Sequence, residues 1–164
     1  MIELDKTYQG GCLCGDVRYE LDGPSLFEMQ CCCVDCQKAT GTGHTTIIGV
    51  HKSQLQVTGT VTTYTNLGES GGTVTRHFCG RCAGRLYTSG SGPGEMIMIQ
   101  AGSLDDPNVV EPQQVIYLKQ AVTWDHFDPA IPQYEMYGQH TDETLAARAG
   151  KVDKLRYKGR PKPE

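Results

Sequence analysis

Long apolar runs are missing from the 164-residue sequence. None approaches the ~20 residues of a membrane-spanning helix, and no basic, apolar leader opens the chain, so a soluble, unexported, cytoplasmic protein with no membrane partner is expected. Positive charge is also scarce. The formal net charge of -4 offers no broad basic face to release counterions from a polyanion, so no nucleic-acid partner is expected. Phosphate-binding loops are absent as well: Gly41-Thr-Gly-His-Thr-Thr46 lacks the third glycine of a dinucleotide fingerprint. The residues before Cys82 read Thr75-Arg-His-Phe-Cys-Gly-Arg, without the H-x-E segment of a zinc deaminase.

Cysteine, by contrast, is abundant and grouped. The eight cysteines fall as Cys12 and Cys14; Cys31, Cys32, Cys33 and Cys36; and Cys79 and Cys82. Thiols of a cytosolic protein stay reduced, and C-x-C and C-x-x-C spacings bring sulfurs close enough to share one ion, so metal ligation is the expected use. In extended backbone Cys31 and Cys33 point one way and Cys32 the other, which leaves seven candidate ligands. Four close a structural zinc site, whereas three leave a position open for water or substrate. Cys12, Cys14, Cys79 and Cys82 would form the closed site, and Cys31, Cys33 and Cys36 the open, catalytic one, for two zinc ions per chain. Spacing alone also admits a middle pair completing a site with either outer pair, and iron–sulfur ligation.

Three thiolates on a zinc ion give a formal charge of -1, a poor setting for making hydroxide from water. Soft ligation suits a substrate thiol, which points to chemistry at sulfur.

Short β-rich runs separated by turn residues predict an all-β fold with few, short helices. The expected strands are Val17 to Leu21, Thr45 to Val50, Val61 to Thr65, Val74 to Phe78, Leu86 to Thr88, Met96 to Ala101 and Val115 to Leu118. Gly68-Glu-Ser-Gly-Gly72 and Gly90-Ser-Gly-Pro-Gly94 fit hairpin loops. One turn of helix is expected after Cys36 and a short helix over Asp142 to Ala149. No boundary divides residues 1–150, and 151–164 reads as a basic, solvated tail.

Five segments, in order, carry a family resemblance. They are Gly11-Cys-Leu-Cys-Gly-Asp-Val-Arg-Tyr19, Cys31-Cys-Cys-Val-Asp-Cys-Gln-Lys-Ala-Thr-Gly41, Phe78-Cys-Gly-Arg-Cys82, Ala101-Gly-Ser-Leu-Asp-Asp-Pro107 and the late Trp124. From about Tyr8 to Pro132 the chain resembles the glutathione-dependent formaldehyde-activating enzyme (GFA) and centromere protein V family. The resemblance implies several coiled antiparallel sheets organised around cysteine-ligated zinc, with the four-plus-three division of ligands given above. It also implies a carbon-sulfur lyase activity, in which glutathione as cosubstrate and formaldehyde as electrophile give S-hydroxymethylglutathione. Two positions depart from the family: Cys32 stands where members commonly have His, and Ala83 where they commonly have Gly.

The other polar residues carry weaker signals. Lys38, Arg76, Arg81 and Arg85 are candidates to grip a carboxylate but read first as structural or solvated charges, and His44, His51 and His77 as ordinary histidines. Asp105 and Asp106 are expected to hold their own turn, Trp124 to line the core or a pocket, and Met96 to Ile99 to be a strand buried on both faces. A non-catalytic zinc-stabilised binding module and a thiol-based redox or zinc-responsive protein, with Cys32 as the reacting thiol, are the competing functions. Exposed β edges are compatible with a homodimer.

Overall fold

A computed structural model of the chain describes residues 6–68, 71–91 and 95–137. The expected helix at Asp142 to Ala149 and the basic tail over 151–164 lie outside the described residues.

Among the described residues, ten strands form two sheets. In chain order they are β1 (Thr7–Gly11), β2 (Arg18–Asp22), β3 (Phe27–Cys31), β4 (Thr45–His51), β5 (Leu55–Thr58), β6 (Val61–Leu67), β7 (Thr73–Cys79), β8 (Arg85–Gly90), β9 (Met96–Gln100) and β10 (Val115–Ile116). The smaller sheet has the order β1-β2-β5 and the larger β10-β3-β4-β9-β8-β7-β6. All pairings are antiparallel except β3 with β10, which is parallel. Helix α1 (Val34–Thr40) stands between β3 and β4, and short 3-10 turns fill several connections. Among the described residues no helix is long and apolar enough to cross a membrane.

Side-chain alternation explains how the sheets pack. In β1 and β2, Tyr8, Tyr19 and Leu21 turn inward while Gln9 and Glu20 face water and pair with each other. These inward residues meet Ile48, Val50, Leu86, Ile97 and Ile99 of the larger sheet in the main core. Gly10 is required on the inward face of β1: a Cβ there would lie 2.3 Å from the Tyr19 hydroxyl, which instead meets the Ser103 hydroxyl at 2.7 Å.

β9 differs from its expectation. Ile97 and Ile99 are buried, but Met96 and Met98 are only partly covered, so the strand has one core face rather than two. Apolar methionine at the outward positions hid the alternation. The run at Val115 to Leu118 is also shorter than expected, because Tyr117 adopts φ 59° and sends the chain into a 3-10 turn at Leu118–Gln120.

Candidate metal centres and a neighbouring cleft

The four outer cysteines meet at one end of the main core. Cys12 and Cys14 lie in the turn that joins β1 to β2, Cys79 is the last residue of β7, and Cys82 follows in the turn to β8. Their sulfurs all lie within 4.8 Å of one another. Cys14 Sγ is 3.6 Å from Cys12 Sγ and 3.7 Å from Cys79 Sγ. Four thiolates around a tetrahedral zinc with Zn–S bonds near 2.3 Å would stand roughly 3.8 Å apart, so the cluster already has the dimensions of such a site.

Backbone amides converge on these sulfurs. Val17 N–H donates to Cys12 Sγ at 3.3 Å and Gly84 N–H to Cys82 Sγ at 3.4 Å. Amides of Cys14 and Gly84 hold the Cys82 thiol down at about 6, so it is readily available as a thiolate. The turn is tight at Gly84, where a Cβ would stand 3.0 Å from the Leu13 nitrogen and 3.2 Å from both Cys12 Cβ and Cys82 Sγ. It closes with Ala83 N–H donating to the Cys79 carbonyl at 2.9 Å, and a register shift between His77 and Phe78 turns β7 into it.

Ala83 sits at φ 58°, in the left-handed region where a Cβ costs energy. Its side chain is exposed, so Ala83→Gly relieves the strain without emptying any packing. The gain, reduced by the extra entropy of glycine in the unfolded chain, is about 0.5–1 kcal/mol. The zinc-replete variant is expected to melt about 1–4 °C higher in a calorimetric scan.

The middle group is built on different elements. Cys31 ends β3, Cys33 is the residue that caps α1, and Cys36 lies in the first turn of that helix. Their three sulfurs also lie within 4.8 Å of one another, with Cys33 and Cys36 at 3.2 Å. The Cys36 amide donates to Cys33 Sγ at 3.4 Å, and the helix ends on Gly41 at φ 73°. Hydrogen bonds with Cys33 and Cys36, and burial, push the Cys31 thiol well above the ordinary value. Crowded thiols of this kind are poor thiolates alone, and a dication would replace their protons.

Cys32 does not join them. It is fully buried among Val115, Ile116 and Tyr117 in a second core, and its amide donates to the Ile116 carbonyl. Burial, with the Asp125 charge, pushes its thiol up to about 12. The segment from Val115 onward wraps the cluster: Gln120 accepts from the Val34 amide, and Gln37 donates to the carbonyls of Cys32 and Gln120.

The structure separates the remaining polar candidates. Arg81 pairs with Asp16 at 3.0 Å and Arg76 reaches Asp35 at 4.0 Å, so these are structural charges, while Lys38 is exposed. Asp106 holds its turn, accepting from the Asn108 amide, but Asp105 instead pairs with Arg18 across the sheet junction. Trp124 is 63% exposed and lines neither core, because the neighbouring chain places Phe127 inward instead. His77 stacks on Tyr87 and its Nε2 meets Ser89; His51 caps the 3-10 turn at Lys52–Gln54.

His44 has a partner that the sequence did not suggest. Its Nδ1 meets Asp125 Oδ2 at 2.5 Å and its Nε2 meets the Gln30 side-chain amide. His44 also faces an open cleft of about 740 Å³ beside the four-cysteine group, lined among others by Cys12, Thr40, Thr42, Arg85 and Ser103. Cys31, Cys33 and Cys36 are outside that lining, but the wall at Thr40 to Thr46 continues directly from the helix that carries Cys36.

The model of the family described as glutathione-dependent formaldehyde-activating enzyme matches residues 7–120, a span that contains all eight cysteines. No protein with a curated description matches the chain. Among solved structures, the crystal structure of a Rhodobacter sphaeroides protein superposes with a TM-score of 0.50 at 18% identity, covering 77% of this chain and 98% of that one. At that identity the likeness is one of fold.

Proposed function

Because the chain belongs to the glutathione-dependent formaldehyde-activating enzyme family, we propose that it joins a thiol such as glutathione to formaldehyde at the three-cysteine cluster. Cys31, Cys33 and Cys36 are assigned to a catalytic zinc, and Cys12, Cys14, Cys79 and Cys82 to a structural one. The observation that carries this reading is the unequal gathering of sulfurs, four in one place and three in the other, with the eighth thiol turned away into a separate core. Four cysteines close a coordination shell and three leave it open.

When bound, the zinc would lower the pKa of a substrate thiol and keep it as a thiolate. The chain's part is to hold the three cysteines in place through the Gln37 and Gln120 hydrogen bonds, and to exclude water from one side with the second core. In the reaction the thiol gives up its proton, the sulfur forms a bond to the carbonyl carbon, and the π pair of the C=O bond moves to oxygen. That oxygen takes up a proton, giving S-hydroxymethylglutathione, with nothing oxidised or reduced. The full enclosure of Cys32 speaks against its service as a redox-sensing thiol, which needs access.

Exchange NMR with carbon-labelled formaldehyde and glutathione tests the proposal. The zinc-replete protein is expected to accelerate exchange between free formaldehyde and the hydroxymethyl adduct at least about tenfold over the uncatalysed rate. Exchange no faster than with heat-denatured protein would contradict it.

A further inference from the structure

Four arginines border the cysteine groups or the cleft, and three are neutralised within the chain. Arg18 meets Asp105, Arg81 meets Asp16, and Arg76 meets Asp35 and the Asn66 side-chain oxygen. Arg85 is different: among the described residues its side chain has neither an ion pair nor a hydrogen bond, although it is half-buried. Withdrawing a guanidinium from water without a counter-ion is unfavourable, and the penalty falls when an anion meets it.

Its location gives that anion a place. Arg85 opens β8 directly after the Cys79–Cys82 turn, so a rigid element fixes its backbone, and its side chain lines the cleft. It lies close enough to Arg76 and Cys36 for their charges to act on it. Thr40, Thr42, Thr45 and Ser103 also line the cleft, the hydroxyls of Thr40, Thr45 and Ser103 already donating within the chain to the Cys36 carbonyl, the Gln100 side chain and the Gln100 carbonyl. At Gly102, also on the wall, a Cβ would meet nothing within 4 Å, so the space is open. The one carboxylate on the lining, Asp105, is already occupied by Arg18.

We infer that Arg85 anchors a carboxylate of the thiol substrate in this cleft, so that the site selects an anionic thiol over a neutral one. The inference rests on the thiol chemistry proposed above and adds the residue that reads the rest of the molecule. A tripeptide thiol with its sulfur at the cluster carries carboxylates on both arms, and the cleft receives one arm. A planar guanidinium suits that group through two parallel charge-assisted hydrogen bonds.

The test is calorimetry on the zinc-replete full chain with S-methylglutathione, whose blocked sulfur leaves the carboxylates as its main handles. The wild type is expected to bind it, Arg85→Gln to weaken binding by about 10- to 100-fold, and Arg85→Lys to weaken it less. The dimethyl ester of the same ligand should bind wild type and Arg85→Gln alike. Thermal scans establish that the variants are folded; should Arg85→Gln not fold, the ester comparison on the wild type decides. Equal binding of the acid by wild type and Arg85→Gln, equal binding of acid and ester by the wild type, or no binding of the acid by the wild type overturns the anchor. Arg85-dependent binding without formaldehyde turnover would contradict the proposed activity and leave the anchor standing. Turnover that ignores Arg85→Gln would do the reverse.

Discussion

Cys79→Ser is expected to yield a chain without a cooperative melting transition and with zinc lost from the four-cysteine site. Cys79 is buried at the end of β7, and its sulfur faces Cys14 from 65 residues away in sequence, so an ion there ties β1 and β2 to β7 and β8. The substitution changes one atom. A buried, poorly paired serine hydroxyl by itself costs about 1–3 kcal/mol, which would lower the melting temperature by several degrees and leave a native transition. A structural zinc site contributes about 10–16 kcal/mol in small domains, comparable to or larger than the ~5–15 kcal/mol that separates a folded domain from its unfolded chain. The metal term therefore dominates, and the expected result is loss of the fold rather than a shifted midpoint. Circular dichroism during heating, with zinc measured on the same sample, checks this; a native transition only a few degrees lower would contradict a structural metal at this site.

Cys33→Ser is expected to have the opposite profile: a folded protein that keeps one zinc and loses turnover. Cys33 caps α1, with its sulfur accepting from the Cys36 amide. Serine is among the preferred residues at that position, so the helix keeps its cap and stability changes by about 1 kcal/mol or less. The metal loses a thiolate from a site of three, and turnover of glutathione and formaldehyde should fall by at least about a hundredfold, since even indirect partners of a metal site are worth 10- to 100-fold. Zinc content, a melting scan and exchange NMR on one preparation read all three quantities. A variant that is folded, short of one zinc and fully active would remove the three-cysteine cluster from the mechanism.

The grouping of the cysteines was legible because ligand spacing is local and survives whatever the surrounding chain does. Alternation separated Cys32 from its neighbours for a sound reason: Cys33 has extended backbone, φ -61° and ψ 151°, although it begins a helix. Strands rich in apolar or β-branched buried residues, such as β4 and β8, were also visible. β1 was not, since its inward positions include Gly10, and β3 hid behind Glu28, a buried carboxylate that accepts from the Ser25 hydroxyl and the Glu111 amide. The Glu111 partner comes from 83 positions away and leaves no local pattern. The same reason concealed the pairing of His44 with Asp125, 81 positions apart, and the single unpaired arginine among four. The exposure of Trp124 was missed because a lone tryptophan reads as core until the chain around it is seen.

The central claim, one closed and one open zinc site, is tested most directly by elemental analysis of reduced, freshly purified protein, repeated on the same sample after glutathione and desalting. The account predicts two zinc ions per chain, with only the ion at Cys31, Cys33 and Cys36 responding to the thiol. A single zinc that ignores glutathione would contradict it.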